Sequence, residues 1–195
     1  DRGGWLVPPR LSWTPQSPRL FSGSVRENVL GVPDGIGQAG AVGSADAAEA
    51  ARLNRAIWLA GLDVDLATGS LSLDARVGPR GLRLSGGQQQ QLAIARALVM
   101  QPEIILFDEL TTGLDPLMAK SIHDLITGTQ RKFGFTAVMV SHEIPEIFAI
   151  SDYVAMLKQG RIAAMAPAAE FQRTTDPDIH EFISVGGTVP LAGGR

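Results

Sequence analysis

Two short apolar runs restrict the fold of this chain more than any other feature. Glu103 is followed by Ile104, Ile105, Leu106 and Phe107, and Thr136 by Ala137, Val138, Met139 and Val140. A strand with one wet face alternates apolar and polar residues, whereas an unbroken apolar run fits a strand buried on both faces, as in a parallel sheet. The segment between the runs reads as a helix. Asp115 is a good N-cap, Pro116 suits the first helical position, and Gly134 supplies a stop. Met118, Ile122, Leu125 and Ile126 recur at helical spacing. A long Ala/Leu pattern from Gln88 to Met100 predicts another helix ahead of the first run, and Leu11 to Trp13 predicts a short extended stretch ending at Pro15 and Gln16. Alternating helices and strands of this kind predict an α/β fold with a parallel sheet.

The remaining segments attach to that frame. Ser24 and Glu27 have capping-box spacing and predict a helix from Val25 to Leu30. Residues 31–45 are rich in Gly and Ala and read as a flexible surface insertion. Asp46 and Glu49 repeat the capping spacing before a helix with Leu53, Ile57 and Trp58 on one face and Gly61 as its stop. A shorter helix is expected within 62–72. Pro145 opens a further short helix, residues 153–157 and 161–166 read as a hairpin around Gln159 and Gly160, and two short helices precede a Gly-rich tail.

Composition excludes several functions. The hydrophobic share of 45% supports a real core, and the net charge of -3, with Lys and Arg scattered, argues against nucleic-acid binding. The absence of cysteine excludes disulfides and thiolate metal sites and fits a cytosolic protein. No apolar run approaches the roughly 18 residues of a membrane span, so a membrane role has to come through a partner.

Four clusters carry candidate chemistry. Asp108 and Glu109 close the first apolar run, at the end of a parallel strand where α/β folds bind ligands. One carboxylate there can hold Mg²⁺ and the next can deprotonate a water; an acidic turn is the plainer alternative. Ser85, Gly86, Gly87 and Gln88 stand directly before a helix. Free N–H groups, the helix dipole and a serine hydroxyl suit a phosphate, though a simple helix cap has the same composition. His142 follows the second run, and in one parallel sheet it would end near Asp108 and Glu109. Gln16, after the extended stretch, can reach toward a metal or water.

In this order and spacing, the clusters resemble the nucleotide-binding domain of ABC transporters, over nearly the whole chain. The resemblance implies a P-loop NTPase-like α/β parallel sheet with an inserted helical subdomain. Residues 1–21 would be the Q-loop region of the core, 22–100 the helical subdomain with the signature motif, 101–185 the catalytic core with Walker B, D-loop and H-loop, and 186–195 a flexible tail. It makes Gln16 the Q-loop residue and Leu84 to Gln88 the signature, with Ser85, Gly86, Gly87 and Gln88 the nucleotide-binding residues. Asp108 becomes the magnesium carboxylate, Glu109 the catalytic base, Asp115 the D-loop aspartate and His142 the switch histidine. The implied ligands are ATP and Mg²⁺. The implied partners are a second nucleotide-binding subunit in a head-to-tail dimer and transmembrane permease subunits, with the protein peripheral on the cytoplasmic side of the membrane. The first half, including VGPRG at residues 77–81, is similar to exporter-type ATPases; that loop is the one such proteins press against the membrane subunit. The stretch from residue 140 to 162 is similar to the ATPase of Mla-type phospholipid-trafficking systems. Alternatives are a soluble ABC-type ATPase outside transport and a non-catalytic partner that contributes only its signature.

Two departures stand out. No Gly-x-x-x-x-Gly-Lys-Ser/Thr occurs, and only 15 residues precede Gln16, against about 30 needed for a strand, loop and helix. With Asp1 in place of an initial Met, the expectation is a domain without its P-loop strand and helix. Such a domain would bind and hydrolyse negligible ATP alone and bare an apolar sheet edge beside residues 136–140. The second departure is Leu110, where the family usually has Pro, which predicts an altered turn with the carboxylates kept.

Overall fold

The computed structural model describes residues 10–31 and 44–186. The chain divides into two compact units, Asp1–Val140 and Ser141–Arg195. In the first, β1 (Leu11–Thr14), β2 (Ile104–Asp108) and β3 (Thr136–Val140) form a parallel sheet in the order β1-β2-β3. Leu11 pairs with Ile104 and Ile104 with Thr136, so all three strands end at one edge of the unit. Between β1 and β2 run α1 (Val25–Leu30), α2 (Ser44–Leu59), α3 (Asp63–Thr68), a single 3₁₀ turn (Pro79–Gly81) and α4 (Gly86–Val99). α5 (Pro116–Phe133) joins β2 to β3.

Local chemistry sets the helix ends. Ser24 and Glu27 form the expected capping box, with Glu27 N–H donating to Ser24 Oγ at 3.2 Å. Asp115 Oδ1 accepts from the N–H groups of Leu117 and Met118, each at 3.0 Å, and Pro116 follows where its missing N–H does no harm. Gly134, at φ 71, closes α5 in the left-handed conformation that suits glycine. α2 is already helical at Ser44, so Asp46 and Glu49 lie inside it and are not its cap. α3 covers less than the expected 62–72, because Gly69 at φ 74 ends it. The insertion expected at 31–45 and the tail at 186–195 fall largely outside the described residues.

The core lies on one face of the sheet. Ile105 and Phe107 are buried in one cluster with Leu92 and Ile94 of α4, Ile122 and Ile126 of α5, Val25 and Val29 of α1, and Leu53 of α2. Ser12 Oγ on β1 donates to Ala97 O of α4 at 3.0 Å on the same side. The opposite face is open. Leu11 and Trp13 on β1 are 65% and 60% exposed, and Val138 and Val140 on β3 are 46% and 49% exposed. The expectation that both apolar runs are buried on two faces is therefore corrected. α4 and α5 pack over one face only, leaving Ile104 and Leu106 half-buried and β3 without a fully buried residue. Among the described residues β3 is an edge strand, and Val138 and Val140 on it are exposed.

The second unit contains α6 (Ile144–Ile150), an antiparallel hairpin of β4 (Tyr153–Lys158) and β5 (Arg161–Pro167), α7 (Ala168–Phe171) and α8 (Pro177–Gly186). Gln159 and Gly160 have φ of 50 and 74, the positive pair that a tight hairpin turn requires. Ile144, Phe148, Met156, Phe171, Ile179 and Ile183 form its own core.

Candidate functional site

β2 delivers the two carboxylates at the end of the sheet. Its residues alternate, so Phe107 enters the core while Asp108, half-buried, shares the open face with Ile104 and Leu106. Glu109 leaves the strand at φ 49, an uncommon conformation for a residue with a side chain. Contacts to β3 and to Thr112 help hold it there. Its N–H donates to Val140 O at 2.9 Å, and its Oε2 accepts from Thr112 Oγ1 at 2.8 Å. Leu110 is buried in the core and anchors the turn by packing. Thr112 N–H to Glu109 O and Leu114 N–H to Thr111 O complete the turn, with Gly113 at φ 81.

The start of α4 forms the second wall. Ser85 Oγ accepts from Gln88 N–H at 3.2 Å, and Gln88 Oε1 accepts from Ser85 N–H at 3.1 Å, a reciprocal cap. Gln88 Nε2 also donates to Asp65 Oδ1 of α3 at 2.9 Å. The two glycines differ in kind. Gly86 is exposed, and a Cβ there would make only ordinary contact with Leu114 at 3.4 Å. At Gly87 a Cβ would sit 2.6 Å from Met118 Sδ, so its bare backbone serves the packing of α4 on α5. Close approach of a ligand is thus open at Gly86 and closed at Gly87. The second of the four glutamines, Gln89, also bonds within the turn, to Gly81 O and Leu84 O.

Gln16 is exposed, and its carbonyl accepts from Gln90 Nε2 of α4 at 2.9 Å. It lines a cavity of about 810 Å³ with residues that include Arg80, Gly86, Gln90, Thr112 and Gly113. The Q-loop candidate, the signature candidate and the turn after Glu109 therefore surround one volume. Asp115 stands at the end of that turn with its carboxylate engaged by the first N–H groups of α5. His142 is exposed and belongs to the second unit, two residues beyond Val140, the register partner of Asp108.

Among the described residues no group of three or more His, Asp or Glu side chains gathers to hold a metal ion. Asp108 offers one half-buried carboxylate at the end of β2, and Mg²⁺ is commonly held by one or two carboxylates plus substrate phosphates. Also among the described residues, no helix is long and apolar enough to cross a membrane.

Four residues of the site were not foreseen: Asp65, Gln90, Arg96 and Thr112. Arg96 donates to Asn28 O at 2.6 Å, Asn28 Oδ1 at 2.9 Å and Arg19 O at 2.9 Å, and burial draws its pKa below the usual guanidinium value. A signal existed for Gln90, a polar residue on the same helical stripe as Gly87, Ile94 and Ala97. Nothing in the sequence pointed to the bond between Asp65 and Gln88, 23 residues apart.

Comparison with known proteins adds a family. The family described as ABC transporter matches residues 4–112. The chain is 43% identical over 88 residues to the Fe(3+) ions import ATP-binding protein FbpC 1 of Haemophilus influenzae, covering 45% of this chain and 27% of that protein. It is 37% identical over 131 residues to the methionine import ATP-binding protein MetN of Caulobacter vibrioides, covering 61% of this chain and 40% of that one. A bacterial Atm1-family ABC exporter, solved with ATP bound, superposes with a TM-score of 0.70 at 29% identity, covering 92% of this chain and 29% of the exporter chain. The chain thus spans less than half the length of each of these proteins.

Proposed function

This chain belongs to the ABC transporter family, and we propose that it is the ATP-binding, ATP-hydrolysing part of a transporter that couples hydrolysis to movement across a membrane. The observation that supports this most is the shared cavity, which brings Gln16, Gly86 and the turn after Glu109 to one volume at the end of the sheet that carries Asp108. Residues 1–21 and 101–185 form the ATPase core in this reading, 22–100 the inserted helical subdomain and 186–195 a tail.

Glu109 is the base that takes a proton from the attacking water. The hydroxyl of Thr112 orients its carboxylate, and the turn pinned by Leu110 and Val140 O fixes its backbone. Asp108 would hold Mg²⁺, whose charge neutralises that developing on the phosphates. Gln16 orients the water and metal ligands, and His142 steadies the terminal phosphate. The amino-terminal N–H groups of α4 and the Ser85 hydroxyl face the nucleotide of a second subunit, with Gln88 bracing Ser85 and Asp115 setting the neighbouring helix. The partners are that second nucleotide-binding subunit and permease subunits, with the assembly on the cytoplasmic face. A second reading rests on the reciprocal cap at Ser85 and the open approach at Gly86. In it, the chain completes a partner's site through Ser85 and Gly86 alone.

The two readings separate in an ATPase assay of the protein assembled with its second subunit and permease. Glu109→Gln is expected to lower turnover roughly 100-fold or more while nucleotide still binds. Turnover that survives Glu109→Gln but is lost with Ser85→Ala would favour the signature-only reading, and indifference to both would sink the proposal.

A further inference from the structure

We propose that Gln90 is a positioning residue for Gln16, tying the loop after β1 to the helix that begins at Ser85 and Gly86 rather than to the strand that carries Asp108. The inference rests on the role given to Gln16 above and adds what controls it.

The loop leaves the sheet after Thr14, and two of its main-chain carbonyls turn to α4. Gln16 O accepts from Gln90 Nε2 at 2.9 Å, and Arg19 O accepts from Arg96 at 2.9 Å. These contacts span 74 and 77 residues of sequence. On its other side the same loop lines the 810 Å³ cavity, across from Thr112, Gly113 and Leu114. It therefore has a firm attachment to α4 and open volume beside it.

Gln90 is only 5% exposed, and its Oε1 has no hydrogen-bond partner. Turning the amide round would set Oε1 against Gln16 O, two acceptors face to face, so the donor orientation is dictated by the loop. Among the described residues the Gln90 side chain thus makes one hydrogen bond, and it is with Gln16. Thr14 Oγ1, on the last residue of β1, is likewise buried and without a partner. The buried side of the loop's origin holds no hydrogen bond from Thr14 that could replace the Gln90 tether. Any displacement of α4 relative to β2 then carries Gln16 with it and changes its place relative to Asp108, while Asp108 and Glu109 keep their own supports on β2, Val140 and Thr112.

Gln90→Met keeps the length and unbranched shape of the side chain and removes the amide. The test is a double-mutant cycle on ATP turnover in the full assembly, with Gln16→Ala as the second change. Gln90→Met is expected to lower kcat about tenfold, the scale of one lost buried hydrogen bond. The double variant is expected to be no slower than Gln16→Ala alone, because both changes act through one side chain. Hydrogen exchange of residues 16–20 should accelerate in Gln90→Met with the thermal midpoint held. If Gln90→Met folds poorly, Gln90→Asn, which keeps an amide too short to reach Gln16, carries the same cycle. A double variant slowed by the product of the single effects, or Gln90→Met at the parent rate, overturns the inference alone. A Gln16→Ala variant at the parent rate overturns the reading of Gln16 and the inference with it.

Discussion

The two faces of the three-stranded sheet are built from the same kinds of residue and meet different surroundings. On one, Ile105 and Phe107 are sealed beneath α4 and α5; on the other, Leu11, Trp13, Val138 and Val140 stand exposed around half-buried Ile104 and Leu106. The closed face holds the unit together. The open face carries Asp108, the next residue along β2 from Phe107. In the proposed function that carboxylate has to be reachable, and it stands on the less packed side of β2. Apolar runs report that a strand is suited to burial; they do not report whether something covers it.

Three experiments test this contrast. The largest effect is expected for Phe107→Ala, which should lose about 3–5 kcal/mol in urea unfolding, while Leu106→Ala, one residue away on the open face, should lose about 1 kcal/mol. Equal losses would erase the distinction between the faces. Next is Thr14→Val on the closed face. Its buried hydroxyl has no partner, so the isosteric methyl is expected to leave stability unchanged or raise it by about 1 kcal/mol. A clear destabilisation would mean the hydroxyl is satisfied in solution. The smallest stability effect belongs to Trp13→Gln combined with Val138→Thr, within about 0.5 kcal/mol of the parent per site. The same pair should reduce binding of a hydrophobic dye and slow self-association, since it breaks the exposed apolar patch and the edge of β3.

Much of the fold was legible locally. Ser24 with Glu27 and Asp115 with Pro116 announced their helices because a cap is decided by residues three or four positions apart. The four glutamines behaved similarly. Gln88 closes the cap on Ser85, and Gln89, Gln90 and Gln91 continue the helix, so a tract that looks repetitive in composition has distinct partners at every position. Asp46 misled because capping spacing recurs by chance in Ala-rich sequence, and the helix there was already under way. The candidate site could be named as residue types in order, but not as contacts. The left-handed backbone of Glu109, its Thr112 clamp and the Asp65 brace on Gln88 leave no periodic trace.

The sequence by itself determined which segments are helix or strand and that the central strands run parallel, and it named candidates for acting on a phosphate. Periodicity, capping and turn chemistry act over a few residues, and those are properties a linear string carries. Only the tertiary structure decided that one sheet face stays open, that Gly87 is filled by Met118 while Gly86 is free, and that Gln16 rides on α4 through Gln90. Each of these depends on which surfaces meet across tens of residues, where close packing and the pairing of buried polar groups select one arrangement among many that the same local pattern permits.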